Sequence, residues 1–225
     1  MPAPATASAE QIRSVNTRYH DGAAADYDAK WSIDYNEVGR HQVLSKVAKA
    51  LSPAGPFGRS LEVGAGTGYF SLRMAAKVPQ GKVLAVDIQP EMLDLLKRAA
   101  KQRNVTNVEP VLGAIDDPRL PAAGVDVALL VDAYHEFDHP REMMQGIVRG
   151  LKPGGRVVQV EYRGEDPDVP IKPLHKMTEA QAKKEMAAVG LEHVKTLEDL
   201  PRQHVLIFRK PADKTPAAGE PPAKP

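Results

Sequence analysis

The sequence predicts an α/β fold, a mostly parallel sheet with helices on both faces. Three observations carry this. Short β-branched or leucine-rich runs alternate with helical patterns along the chain. Prolines open two of the helical stretches and a glycine follows the last one. Three alternating glycines follow the first strand-like run without a gap.

The elements follow in order. Asn36–Leu51 reads as an amphipathic helix. A Gly/Pro-rich turn from Pro53 to Gly58 leads into the strand Leu61–Val63. A helix spans Phe70–Lys77. Lys82–Asp87 (KVLAVD) is the second strand and closes on an acid. Pro90–Gln102 has proline in its first turn and carries Met92, Leu93, Leu95 and Leu96. Val108–Leu112 and Val125–Val131 (VDVALLV) are strands. Pro140–Leu151 is a helix with Met143, Met144, Ile147 and Val148. After a Pro-Gly-Gly turn comes the strand Arg156–Tyr162 (RVVQVEY). Thr178–Val189 starts on a threonine cap and stops at Gly190. His204–Phe208 is the last strand. In such a sheet ligands bind beyond the carboxyl ends of the strands.

Composition excludes several function classes. The 225 residues include no cysteine, which removes disulfides, iron–sulfur clusters, thiolate zinc sites and thiol nucleophiles. A formal net charge of +1, from 30 basic and 29 acidic residues, argues against binding driven by nucleic-acid phosphates. No apolar run approaches the roughly 20 residues of a membrane span, and Met1 to Glu10 lacks the basic and apolar regions of a secretory signal. A cytoplasmic location is therefore expected. Of the 20 prolines, seven lie in the first ten and last fifteen residues. Residues 1–10 and 211–225 are read as disordered tails, 11–52 as an N-terminal segment of helices, and 53–210 as the core.

The strongest local signal is Leu61-Glu62-Val63-Gly64-Ala65-Gly66-Thr67-Gly68-Tyr69. It is neither Gly-x-Gly-x-x-Gly nor the Walker pattern. Glu62 would repel a phosphate and attract a ligand bearing an ammonium and a sulfonium. S-adenosylmethionine fits that description.

These residues resemble the first motif of the class I S-adenosylmethionine-dependent methyltransferases. Asp87, 19 residues after Gly68, resembles their acidic ribose ligand, and Lys152-Pro153-Gly154-Gly155 resembles their turn before strand five. The resemblance runs from about Tyr27 to Phe208. Its stretch from Glu161 to Met177 is similar to a subgroup of bacterial enzymes of unknown substrate. It implies a Rossmann-like, seven-stranded mixed sheet with the last strand antiparallel. It implies that Glu62, Gly64, Ala65, Gly66 and Gly68 surround the cofactor and that Asp87, with Ile88 beside it, holds the ribose hydroxyls. It places Asp116 near the adenine, Asp132 to Phe137 below the methyl group, and Tyr27 in a lid over the methionine part. The product would be S-adenosylhomocysteine.

Methyl transfer needs a base only if the acceptor carries a proton at its working pKa. His135 is the candidate base, with Tyr134 beside it; the alternative is that His135 packs at the strand end. Lys172, His175 and Lys176 either hold an anionic substrate or form a solvated basic turn. His135-Glu136-Phe137-Asp138-His139 matches His-Glu-x-x-His, but Pro140 disfavours helix at His139, so a zinc peptidase is set aside. Asp132 and Glu161 are available as ligands, yet no Asp-Asn pair appears and no metal is expected. The expected acceptor is a small molecule with an O, N, C or S nucleophile. The expected state is monomer or homodimer, without nucleic-acid or membrane partners. Open alternatives are a protein or nucleic-acid methyltransferase and a non-catalytic cofactor-binding module.

Overall fold

The computed structural model describes residues 37–52 and 57–212. The readings of 1–10, of the lid with Tyr27, and of residues 213–225 lie outside the described residues.

Five α-helices and eight strands make up the described chain. The helices are α1 (Glu37–Ala50), α2 (Ser71–Lys77), α3 (Pro90–Gln102), α4 (Pro140–Gly150) and α5 (Glu179–Ala188). The strands are β1 (Arg59–Val63), β2 (Lys82–Asp87), β3 (Val108–Leu112), β4 (Val125–Val131), β5 (Leu151–Arg163), β6 (Lys176–Met177), β7 (Glu192–Leu197) and β8 (Gln203–Arg209). The sheet order is β3-β2-β1-β4-β5-β8-β7, with the short β6 paired to β5. Strands β1 to β5 are mutually parallel, and β8 runs antiparallel to both its neighbours. The mixed sheet expected from the resemblance is present, with β6 as an eighth strand.

Strand β4 shows why the sheet is covered twice. Val127 and Leu129 face one side, with Val47 of α1 and Met74 of α2. Ala128 and Leu130 face the other, with Met144 and Ile147 of α4 and Met186 of α5. Successive side chains of a strand point to opposite faces, so a run buried on both faces must be apolar throughout. That is why VDVALLV is apolar except at Asp126, which is partly exposed and paired with Lys152. Leu96 of α3 packs against Ala85 of β2 and Ala65 of the glycine loop.

Helix starts follow local chemistry. Pro90 and Pro140 each sit in a first turn, and the Thr178 Oγ1 accepts from Gln181 N at 3.1 Å. The structure corrects two boundaries. Leu151 belongs to β5 rather than to α4, because it pairs with Val125 of β4. The Lys152–Gly155 turn is also drawn into the sheet edge: Gly154 N donates to Lys210 O at 3.0 Å and Lys210 N to Gly155 O at 2.8 Å. Strand β7 carries no apolar run because this edge strand is exposed over most of its length.

Gly68 has φ +87°, and a Cβ there would stand 2.8 Å from Leu96 Cγ. Gly68→Ala should cost about 2–4 kcal/mol in urea unfolding, from left-handed strain plus overpacking. Gly66 has φ +50° with no atom within 4 Å of a Cβ, so Gly66→Ala should cost only about 1–2 kcal/mol.

Candidate functional site

The loop after β1 folds back onto β2. Gly64 N and Ala65 N both donate to Val86 O, at 2.9 and 3.0 Å. Gly66 N donates to Asp87 Oδ2 at 2.8 Å, and Gln89 N donates to Asp87 Oδ1 at 2.9 Å. The carboxylate at the end of β2 thus locks the crest of the loop to the start of α3. Three of the five exposed large hydrophobics among the described residues, Ile88, Leu112 and Ile115, stand near the ends of β2 and β3. Asp116 is exposed beside Ile115.

Glu62 lies in β1, just before the loop. It is 3% exposed, and its carboxyl accepts from the Ser71 hydroxyl at the start of α2. Burial pushes its pKa up to about 8, against the pull of Ser71. Its role in this structure is to fasten the loop to α2.

Beyond β4 the chain turns sharply. Asp132 has φ +49°, its N–H donates to Val160 O at 2.9 Å, and Gln203 Nε2 lies 2.7 Å from both carboxylate oxygens. Burial raises Asp132 to about 6, while the charge of Lys46 on α1 pulls the other way. Burial lowers the pKa of Lys46, and Asp132 opposes that shift.

Tyr134–Glu136 forms one 3-10 turn. Glu161 on β5 serves both of its first residues: Oε1 accepts from Tyr134 N at 3.1 Å, and Oε2 lies 2.6 Å from His135 Nδ1. The opposite nitrogen, His135 Nε2, lies 3.3 Å from Glu136 Oε1 and 3.2 Å from His175 Nδ1. Burial works against a charged His135, but Glu136 and Glu161 outweigh it and push the imidazole up to about 10. At neutral pH this favours the protonated ring, a donor, whereas a base needs the neutral one. The Tyr134 hydroxyl donates to Glu185 Oε2 at 2.7 Å, and burial raises its pKa further. A cavity of about 300 Å³ is lined by Tyr134, His135, Phe137, Leu174, Met177 and Glu185, among others.

The His-Glu-x-x-His segment is not one helix. His139 is the N-cap of α4 with φ −125°, and the histidine that meets His135 is His175. Lys176 Nζ donates to Asp166 O at 3.0 Å, so Lys176 and His175 are each paired away from a common anion site. Glu161 and His175 were visible as residues but not as partners of His135. Ser71, Lys46, Gln203 and Glu185 carried no local signal at all, because each meets its partner through the packing of separate elements.

The comparisons with known proteins agree with this architecture. Residues 61–155 match the family model described as a methyltransferase domain. The fold is that of the class I S-adenosylmethionine-dependent methyltransferases. An uncharacterized methyltransferase-like protein of Schizosaccharomyces pombe is 38% identical over 97 residues, 43% of this chain and 35% of that protein. A ubiquinone/menaquinone biosynthesis C-methyltransferase of Ectopseudomonas mendocina is 28% identical over 161 residues, 71% of this chain and 60% of that protein. The chain therefore spans between 35% and 60% of the length of these two relatives. Among solved structures, a Burkholderia thailandensis 1,6-didemethyltoxoflavin N1-methyltransferase with bound 1,6-didemethyltoxoflavin and S-adenosylhomocysteine has TM-score 0.67 at 19% identity. The alignment covers 94% of this chain and 93% of that one.

The buried Glu62 makes stability depend on pH. Its folded pKa lies near 8, above the ordinary 4.5, so the folded state holds a proton that the unfolded state releases. The contribution is complete below about 4.5 and is lost as pH rises through about 8. Glu62→Gln should flatten that part of the profile. Thermal melts from pH 5 to 9 check this: the wild type should lose ground to the variant as pH rises.

Proposed function

We propose that this chain is an S-adenosylmethionine-dependent methyltransferase acting on a small-molecule O, N, C or S nucleophile. The observation that carries the reading is the bond from Gly66 N to Asp87, which sets an open glycine crest beside an anchored carboxylate.

The residues present fit this cofactor. The Asp87 carboxylate, held by two backbone N–H groups at the end of β2, is an acceptor suited to a ribose diol. Ile88 and Ile115 offer apolar surface suited to the face of a purine, with Asp116 nearby for its amino group. The crest at Gly66 has room where a side chain would intrude. Gly64, Ala65 and Gly68 shape the loop beneath it. When bound, the cofactor supplies a methyl group already activated for in-line displacement.

What remains for the protein is alignment and exclusion of water. Asp132 turns the chain away from β4, so that Tyr134 and His135 reach the cavity that would take the acceptor. The aromatic pair Tyr134 and Phe137, edge to face at 5.5 Å, forms part of its wall. His135 is the group proposed to contact the acceptor. The assignment of Tyr27 to the methionine part stays a proposal from the sequence. A relative named a ubiquinone/menaquinone biosynthesis C-methyltransferase, and a structural neighbour named a 1,6-didemethyltoxoflavin N1-methyltransferase, support a small-molecule acceptor. The chain is proposed to work in the cytoplasm as a monomer or homodimer; no helix among the described residues is long and apolar enough to cross a membrane.

Titration calorimetry with S-adenosylmethionine should show binding, and Asp87→Ala should weaken it at least about tenfold, the loss of charge-assisted bonds. A metabolite screen with labelled methyl donor should yield S-adenosylhomocysteine and a labelled small molecule. No binding overturns the reading; binding without product reduces the protein to a cofactor-binding module. His135→Ala should lower turnover on the acceptor so found and leave cofactor affinity intact. Full turnover in that variant removes His135 from the reaction.

A further inference from the structure

We infer that His135, Glu136 and His175 form a binding site for one divalent transition-metal ion. Three donor atoms converge there: His135 Nε2, Glu136 Oε1 and His175 Nδ1. Their mutual separations are 3.3 Å, 3.0 Å and 3.2 Å, a nearly equilateral triangle. Ligand bonds of about 2.1 Å place neighbouring donors about 3.0 Å apart in an octahedron and about 3.4 Å apart in a tetrahedron. The sides of the triangle fall within that interval, so the three donors stand at the spacing that a shared ion requires. Among the described residues this is the one group of three or more His, Cys, Asp or Glu residues close enough to share an ion.

The donor set defines the class of ion. Two imidazoles and one carboxylate suit zinc, iron(II), cobalt(II) or nickel(II), and suit the oxygen-loving magnesium and calcium poorly. The support behind the triangle is also of the kind that metal sites use. Ligating histidines ordinarily donate their second N–H to a carboxylate, which fixes the ring and raises its basicity. Here the buried Glu161 Oε2 lies 2.6 Å from His135 Nδ1, leaving Nε2 directed at the triangle. Glu161 is in turn fixed by Tyr134 N–H. The 3-10 turns Tyr134–Glu136 and Pro173–His175 pack together, and the two rings meet edge to face with centroids 5.1 Å apart. The His135 side chain is 9% exposed, whereas those of Glu136 and His175 are 38% and 43% exposed. One side of the triangle is therefore open to further ligands.

The site does not depend on the methyltransferase reading. If both hold, the ion lies at the edge of the acceptor cavity that His135 lines, where its open positions would take an acceptor oxygen or nitrogen.

The test uses the full chain after dialysis against a chelator. Calorimetric titration with Zn²⁺ should give one equivalent per chain. Co²⁺ should give the visible absorption of a low-coordinate nitrogen–oxygen site. His175→Ala, at an exposed turn, should weaken Zn²⁺ binding more than about 100-fold, and Glu161→Gln about 10- to 100-fold. His139→Ala should leave it unchanged. Circular dichroism and cofactor titration on each variant report folding separately from metal binding. Failure of the wild type to take up one equivalent overturns the site. So does equal affinity in His175→Ala, or an equal loss in His139→Ala.

Discussion

The closeness of β1 and β4 governs this molecule. The two strands are adjacent and parallel, although the chain visits β2 and β3 between them. The order of strand growth reverses there, which opens a crevice at their carboxyl ends. Gly64 follows β1 and Ala133 follows β4, and a Cβ on Gly64 would stand 2.9 Å from the Ala133 Cβ. Nothing larger than glycine fits that contact without a shift. The glycine loop and the Tyr134–His135 turn are thereby held against one another. A methyl donor on the first and an acceptor beside the second would share one crevice.

Around that crevice the acidic groups are each held by a specific donor. Glu62 is tied to Ser71, Asp87 to two backbone N–H groups, Asp132 to Gln203, and Glu161 to Tyr134 N–H. Burial of a carboxylate is costly unless such partners are supplied. They also sort the acids by task. Glu62 is sealed behind the loop and fastens it, Asp87 stands at the loop crest, and Glu161 orients His135. Acids close together in the fold thus play different parts because their donors come from different elements.

Pro90, Pro140 and Thr178 act locally, and the helices they open begin where the sequence placed them. Val125–Val131 was legible because burial on both faces demands an apolar run, interrupted here only at the partly exposed Asp126. Glu192–Leu197 was not legible, since an exposed edge strand is specified by pairing with β8 rather than by its own side chains. His135-Glu136-Phe137-Asp138-His139 misleads as a string. The motif presumes a helix, and the chain instead makes a 3-10 turn and starts a new helix at Pro140.

By itself the sequence determined the α/β class, the alternation of its elements, the glycine loop and the acid that closes β2. These are set by residues close together in the chain, where turn chemistry and periodicity act. Tertiary structure alone decided which groups meet across the sheet. Val131 pairs with Val160, so the residues just past β4 come beside Glu161 on β5. The turn after β5 then returns His175, 40 residues along the chain, to within 3.2 Å of His135. Strand register and loop return bring those side chains together, and neither is written in any short run of residues.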